Sequence, residues 1–334
     1  MLSRRQFVLS SWAASLTPLL KGCGKPLPEP QRWDVAAYRK PEHSQVAILA
    51  AQSYDHALVD VITRGLKLFA LDVKGKTVVL KPNLVEYDPQ GVINTHPVMI
   101  AATIDAFRTL GAREVIVAEG PGHRRDNEYL LTASGLYDVL KDYRARYVDL
   151  DTDNVSLVRT TSHFTEFAGL YLPETVVKAD LLVSMPKLKT HHWAGATLAM
   201  KNLFGIMPSA IYGWPKNPLH WAGIHQSIID INSTLPVPHF AIVDGIVGME
   251  GNGPIQGQAK HCGVLIFGQD FVAVDATAAR LMMLEPSKII YLALAEQFLG
   301  NSTRERVEQI GEQVETFKQD FRVISAFAHL KTLI

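Results

Sequence analysis

Short, mainly apolar runs alternate with longer segments of helical spacing along the first third of the chain. The runs 45–51, 77–80 and 114–118 are apolar after their first residues, Gln45, Thr77 and Glu114, and contain β-branched residues, which predicts buried strands. Between them, apolar residues recur every three or four positions within 58–69 and between Pro97 and Gly111, which predicts two helices. This strand–helix order is typical of parallel βαβ units.

The alternation continues less regularly toward the C-terminus. Further strands are predicted near 147–159 and at 180–184, 239–243 and 264–268, and helices at 135–143, 224–235, 271–284 and 287–299. A further element is predicted at 196–204. The Pro-, Gly- and Trp-rich segment 205–223 is typical of a lid or binding loop, and the tail 314–334 suggests closing strands. We therefore expect an α/β fold with a mostly parallel sheet and helices on both faces, in which two subdomains stay an alternative.

The first residues have the pattern of an export signal. Arg4 and Arg5 precede an uncharged segment, 8–20, which is shorter than the about 20 apolar residues of a transmembrane helix. This predicts a twin-arginine signal over 1–22, with an ordinary basic helix as the alternative. Cys23 follows a loose lipoprotein cleavage box in which Lys21 fits poorly, so lipidation of Cys23 stays open.

A Pro-rich tether over 23–44 and one α/β domain over 45–334 follow the predicted signal. We expect the twin-arginine export machinery to deliver the protein to the periplasm or the outer face of the cytoplasmic membrane. Membrane contact is then expected only through the signal or a lipid anchor.

Composition narrows the classes of function. Lysine plus arginine and aspartate plus glutamate both number 33, which argues against a nucleic-acid partner because such proteins are clearly basic. The cysteines are Cys23 and Cys262, too few for a disulfide framework or for an iron–sulfur ligand set within this chain.

Basic residues follow the predicted strand 180–184, where an open α/β sheet usually places its ligand site. Lys187, Lys189 and His191 are the candidate catalytic residues. A lysine buried near other cations can lose roughly 3–5 pKa units and act as a base or nucleophile, and a histidine titrates near neutrality. His192 would point away along an extended backbone, so we expect it to be structural.

Polar residues at other predicted strand ends complete a candidate anion site. The expected ligand-binding residues are Lys81, Asn83, Lys201, Asn202, His220, Asp244, Glu250, Gly251 and Gly253. A surface charge or a helix cap is the alternative for any one of them. Asp244, Glu250 and Asp270 are also candidates for a divalent metal site, because carboxylates bind hard cations, although Asp270 equally suits a helix cap.

These clusters form an ordered series of motifs. The series comprises Lys81-Pro82-Asn83, Lys187-Leu188-Lys189-Thr190-His191, Thr197 with Lys201-Asn202 and Gly205, His220, Asp244-Gly245, Glu250-Gly251-Asn252-Gly253-Pro254 with Gly257, and Asp270 with Asp275. Through these motifs, over about residues 45–290, the chain resembles the domain of unknown function 362 family. The resemblance implies no settled activity. Some family members carry a cysteine-rich, ferredoxin-like segment, for which this chain has no counterpart.

The sequence therefore predicts an exported α/β enzyme that acts on a small anionic ligand through a Lys/His/Asp site. A non-catalytic ligand-binding protein of the cell envelope and a cofactor-loaded redox accessory protein are the alternatives. The identity of any cofactor stays open, with a divalent metal as one candidate.

Overall fold

The computed structural model describes residues 38–122 and 126–332. The predicted signal segment 1–22, Cys23 and most of the predicted tether lie outside these residues. Across the described ranges, no helix combines the length and the apolar character needed to cross a membrane.

The strands carry the framework of the fold. They are β1 Ser44–Ala50, β2 Thr77–Pro82, β3 Glu114–Glu119, β4 Arg146–Asp149, β5 Val155–Arg159, β6 Gly169–Pro173, β7 Leu181–Met185, β8 Lys187–His191, β9 Gly195–Thr197, β10 His239–Asn252, β11 Gln256–Gly268 and β12 Val307–Gly311. Ten of them form one sheet in the order β12-β1-β11-β10-β7-β2-β3-β4, with β8 beside β10 and β9 beside β8. β5 and β6 form a separate antiparallel pair.

Most neighbours in the large sheet run parallel, as predicted. The pairs β2–β3, β2–β7, β3–β4, β7–β10, β8–β10 and β1–β12 are parallel, whereas β1–β11, β10–β11 and β8–β9 are antiparallel. The carboxyl ends of β2, β3 and β7 therefore meet at one edge of the sheet, where such folds bind ligands.

Helices cover both faces of the sheet, also as predicted. They are α1 Leu58–Lys67, α2 Pro97–Thr109, α3 Asn127–Ala133, α4 Leu136–Asp142, α5 Glu174–Val177, α6 Ala199–Asn202, α7 Ser209–Tyr212, α8 Asn217–Trp221, α9 Ile224–Thr234, α10 Phe271–Leu281, α11 Ile290–Ala295 and α12 Val314–Phe317. Alternation along β1 divides the core: Val46 and Ile48 pack with α9 and α10, and Ala47 and Leu49 pack with α1 and α2.

Several element predictions were wrong in the second half of the chain. Lys187 to His191, which follow the predicted strand 180–184 and were not predicted as a strand, form strand β8, which is buried along its length. Pro186 lacks an N–H group and separates β7 from β8, and its carbonyl accepts a hydrogen bond from the Asp244 amide at 2.8 Å. β8 therefore does not continue β7 as one straight strand, although both strands pair with β10.

Other boundaries also differ from the prediction. The glycine-rich stretch between the predicted strands 239–243 and 264–268 belongs to a long hairpin of β10 and β11, with a bulge between Gly245 and Val247. Within the predicted lid 205–223 lie two short helices, α7 and α8. The predicted element 196–204 begins inside β9 and continues into α6. The closing strand β12 lies before the tail 314–334, in which closing strands were expected.

Candidate functional site

A cavity of about 250 Å³ opens at the carboxyl ends of β2 and β3 and along β8. Its wall combines lysines, histidines and aromatic rings with few acidic groups. The charged and polar lining residues are Lys81, Asn83, Glu119, Lys189, His191, His192, Thr197, Lys201, Asn202, Lys216 and His220. The structure thus brings most of the predicted site residues together.

An ion pair between neighbouring strands forms the floor of this cavity. Lys81 ends β2 and Glu119 ends β3, and the Lys81 Nζ lies 2.7 Å from the Glu119 Oε2. Both side chains are 1% exposed. The Glu119 carboxylate also accepts hydrogen bonds from the backbone amides of Leu84 and Gly120, each at 3.0 Å. Burial lowers the pKa of Lys81, and the charge of Glu119 partly offsets this effect.

The orientation of the Asn202 side chain follows from its partners. Its Oδ1 accepts hydrogen bonds from the Lys81 Nζ and the Asn83 Nδ2, both at 3.1 Å, and its Nδ2 donates to the Lys81 carbonyl and to Ser184. The Asn83 Oδ1 is consequently left buried without a partner among the described residues, as is the hydroxyl of Thr197. Both residues line the cavity, so these atoms are free to accept or donate a hydrogen bond there.

Lys189 lies in the middle of β8 and is 0% exposed. Its Nζ donates hydrogen bonds to the carbonyls of Ile93, at 2.9 Å, and Pro254, at 3.2 Å. Within the described ranges, no carboxylate forms an ion pair with it. Burial lowers the pKa of Lys189 well below its usual value, and the charges of Lys201 and Lys187 add to the effect.

Lys216 enters the same wall from the segment between α7 and α8. Its Nζ donates to the carbonyls of Gly120 and Phe204, at 2.6 and 3.2 Å, and lies 3.7 Å from the Asp151 carboxylate. Burial lowers the pKa of Lys216 to about 8, although Asp151 opposes the shift. Lys216 was not among the predicted site residues, because it belongs to none of the strand-end motifs.

Lys201 differs from the other three lysines of the cavity. Its Nζ lies 4.1 Å from the centroid of the Phe204 ring, and no residue that the structure describes accepts a hydrogen bond from it. Burial lowers its pKa to about 7, helped by the charges of Lys216 and Lys81. At neutral pH a substantial fraction of this amine is therefore unprotonated.

Two histidines of the cavity adopt different tautomers. The His191 Nδ1 accepts hydrogen bonds from the backbone amides of Trp193 and Ala194, at 3.0 and 3.2 Å, so its neutral ring carries the proton on Nε2. The His220 Nδ1 lies 3.1 Å from the Lys216 carbonyl and must donate to it, which leaves its Nε2 as an acceptor. Burial lowers the pKa of His191 well below its usual value and that of His220 to about 4, and in both cases Lys201 adds to the effect.

The prediction that His192 points away was wrong, because it lines the cavity beside His191. The ring centroids of the two histidines lie 5.0 Å apart. β8 ends at His191, so the alternation of an extended strand no longer applies to the next residue.

Lys187 and Asp244 lie apart from this cavity. The Lys187 Nζ is 2.9 Å from Asp244 and 2.7 Å from the hydroxyl of Tyr54, which in turn donates to Asp244 at 2.8 Å. Lys187 and Tyr54 line a neighbouring cavity of about 370 Å³. The prediction placed Lys187 at the centre of one site with Lys189 and His191, and Asp244 among its ligand-binding residues. The structure does not bring Lys187 and Asp244 to that cavity, and each compensates the charge of the other.

Glu250, Gly251 and Gly253 also do not line the cavity. Glu250 pairs with Lys260 at 2.9 Å and with Arg322 at 2.7 Å, which occupies both carboxylate oxygens. The carbonyl of Gly251 accepts a hydrogen bond from the Thr190 hydroxyl, and a Cβ at Gly253 would overlap the Thr190 carbonyl. Gly251 and Gly253 therefore contact β8 from the β10–β11 hairpin, and this packing accounts for the two glycines without a ligand.

The acidic side chains predicted as metal ligands, Asp244, Glu250 and Asp270, do not form one cluster among the described residues. Asp270 caps α10 by accepting hydrogen bonds from Val272 and Ala273, as its helix-cap alternative predicts, and it also binds Ser44. Asp244 and Glu250 are held by the lysines and the arginine described above. Within 38–122 and 126–332, no three histidine, cysteine, aspartate or glutamate side chains are arranged to hold a metal ion.

Comparison with known proteins gives a family but no activity. Residues 78–280 match the model of one family, described as Domain of unknown function (DUF362). A curated protein from Synechocystis sp., "Thylakoid-associated protein sll1697", is 27% identical over 278 residues, which cover 77% of this chain and 80% of that protein.

Two solved structures resemble the fold weakly. The lactate racemase apoprotein from Thermoanaerobacterium thermosaccharolyticum has a TM-score of 0.41 and 17% identity, with 70% of this chain and 58% of that chain covered. A structural-genomics target from Thermotoga maritima has a TM-score of 0.38 and 13% identity, with 70% and 60% covered. The chain spans about three fifths of the length of these two proteins, and neither likeness carries an argument about activity.

Proposed function

Because the chain belongs to the DUF362 family, whose description names no activity, we propose a function from the site itself: the protein is an enzyme that binds a small anionic substrate in the lysine-lined cavity and moves a proton on it. One observation carries the proposal. Lys189 and Lys201 face the cavity, and neither has a carboxylate partner within the described residues.

The balance of charge in the cavity favours an anion. The amines of Lys81, Lys189, Lys201 and Lys216 face the cavity, whereas Glu119 supplies the acidic group of its lining and Asp151 lies just behind Lys216. Two unit charges 4 Å apart repel by about 4 kcal/mol at an effective dielectric of about 20. A carboxylate or phosphate among these amines would relieve that repulsion.

The histidines support proton transfer on the bound anion. The His191 Nε2–H is a donor, and the His220 Nε2 is an acceptor, so the pair offers both roles at one cavity. Without a ligand, burial and the lysine charges hold both rings neutral. An anion would raise both pKa values toward the range in which histidine transfers protons efficiently.

The test is a panel of anions at fixed ionic strength with chloride as the reference. We expect sulfate, phosphate or a dicarboxylate to raise the thermal midpoint of the protein, since a ligand at one hundred times its dissociation constant stabilises the fold by about 2.7 kcal/mol. Lys189→Met should lose most of that shift, and the exposed Lys178→Met should keep it. An unchanged midpoint in wild type with every anion would refute the proposed site.

Catalysis is separated from simple binding by a second pair of variants. His191→Gln and His220→Gln should keep the anion-induced shift while losing hydrogen–deuterium exchange at carbon atoms of small carboxylic acids. If the protein binds an acid and no exchange occurs in wild type, a non-catalytic envelope binding protein is favoured instead.

The proposal extends to location on the basis of the sequence. Arg4 and Arg5 precede the uncharged segment 8–20, which supports export in folded form through the twin-arginine machinery. Replacing both arginines by lysine should keep the protein in the cytoplasm, as fractionation of cells would detect. Normal export of that variant would contradict this assignment.

A further inference from the structure

We propose that Lys201 is a nucleophilic lysine, whose amine forms an imine with a small carbonyl compound that carries a carboxylate or phosphate group. The inference rests on the proposed anion site and names its substrate class. Its first support is geometric, since the Lys201 Nζ faces the cavity beside the Phe204 ring and forms no hydrogen bond with the described residues.

The other lysines of the cavity are less suited to this role. The amine of Lys81 is engaged by Glu119, Asn202 and a carbonyl. Lys189 and Lys216 each donate to two or more backbone carbonyls, which fix the positions of their amines. An amine can attack a carbonyl only when its lone pair is free. Lys201 meets this requirement, and its side chain is only partly buried, so a ligand in the cavity can reach it.

The electrostatic surroundings provide a second, independent support. A lysine desolvated beside other cations is the standard device for obtaining a neutral amine near pH 7. Lys81 and Lys216 supply those cations here, and they also supply the positive field that would hold the anionic end of the substrate. Binding and activation thus come from the same charges.

The reaction balances without any further reactant. The Nζ lone pair forms a bond to the carbonyl carbon, and the carbonyl oxygen takes up a proton to give a carbinolamine. The two hydrogens of the amine leave with that oxygen as one water molecule when the C=N bond forms. His191 can donate a hydrogen bond to the departing oxygen, and His220 can accept the proton of the amine, in agreement with their tautomers.

The test is reductive trapping on the full-length protein. We expect pyruvate or pyridoxal 5′-phosphate with borohydride to give one adduct per chain, mapped by peptide mass spectrometry to Lys201. Excess sulfate should block the adduct, and uncharged acetone should give much less of it. Pyruvate and pyridoxal 5′-phosphate separate the carboxylate and phosphate classes.

Two variants sharpen the result. Lys201→Arg keeps the charge and should lose the adduct, whereas the exposed Lys178→Arg should keep it. In wild type, the rate of labelling at Lys201 should be half-maximal near pH 7, far below the pH needed for surface lysines. Since this pH profile is measured in wild type, it tests the inference even if Lys201→Arg does not fold.

Failure of the inference can be told from failure of the proposed function. Labels spread over surface lysines, or an adduct that persists in Lys201→Arg, would overturn the imine. If anions raise the thermal midpoint but no adduct forms at Lys201, the proposed anion site is supported and the role of Lys201 as a nucleophile is refuted. If both are absent, both proposals fall.

Discussion

Replacing Glu119 by glutamine tests how the cavity tolerates its buried charges. Glu119 is 1% exposed and accepts hydrogen bonds from Lys81, Leu84 and Gly120. Glutamine keeps the shape but removes the charge, and its NH2 group must face donors where an oxygen accepted before. Breaking a buried ion pair from one side costs about 3–5 kcal/mol, because the other charge stays buried and uncompensated.

An exposed ion pair of the same protein provides the matched control. The Lys178–Glu174 pair has the same residue types at i,i+4 spacing, and the Lys178 side chain is 70% exposed. Such pairs contribute about 0–1 kcal/mol, so Glu174→Gln should change the free energy of unfolding little. Urea unfolding followed by tryptophan fluorescence measures both variants on one scale.

The pH dependence of Glu119→Gln has a definite sign. Burial already lowers the pKa of Lys81, and removal of Glu119 withdraws the charge that opposes this. Between the folded and unfolded pKa values of Lys81, the unfolded chain then binds more protons than the folded one, so stability rises with pH. The difference in the free energy of unfolding between wild type and Glu119→Gln should therefore become smaller as pH rises above neutrality. If Glu119→Gln lowers the free energy of unfolding by no more than Glu174→Gln does at every pH tested, then Lys81 and Glu119 are not a coupled buried pair.

Three further outcomes are expected. Sulfate affinity, measured by calorimetry, should weaken as pH rises above about 8, because Lys216 has a pKa of about 8 and binds anions as a cation; a flat profile would exclude it as a ligand. Gly253→Ala should lower the thermal midpoint because its Cβ overlaps the Thr190 carbonyl, and an unchanged midpoint would show that the hairpin can shift freely. Asp270→Ala should cost about 0.5–2 kcal/mol as a lost helix cap while leaving sulfate binding intact; loss of sulfate binding would contradict its purely structural role.

The sequence predicted the parallel part of the sheet well because its signals are local. An uncharged, β-branched run such as 77–80 is typical of a strand that is buried on both faces of a sheet, and the structure shows this strand almost fully buried. The same reasoning located Lys81 at the end of a strand and thereby at the cavity. What it could not supply was the path of β8, since Lys187 to His191 shows a polar composition that hides a fully buried strand.

Charge compensation is the second feature that a sequence hides. Lys187 and Lys189 lie two residues apart on β8, yet Asp244 pairs with one and backbone carbonyls bind the other. This difference depends on β10, which is distant in sequence. Lys216 was missed for the same reason, because its position on the cavity wall results from how the segment after Gly205 folds back over β3.

The position of β1 constrains when the fold can be completed. This strand comes first in the described chain, but its two neighbours are β11 and β12, which come near the end. It therefore lacks its first hydrogen-bonding partner until synthesis has passed residue 268 and its second until residue 311. Closing such a long loop costs entropy before any pairing rewards it. A nascent chain must keep β1 unpaired through most of its synthesis. We expect arrested ribosome-bound chains that end before residue 256 to be protease-sensitive at β1 and to depend on holding chaperones.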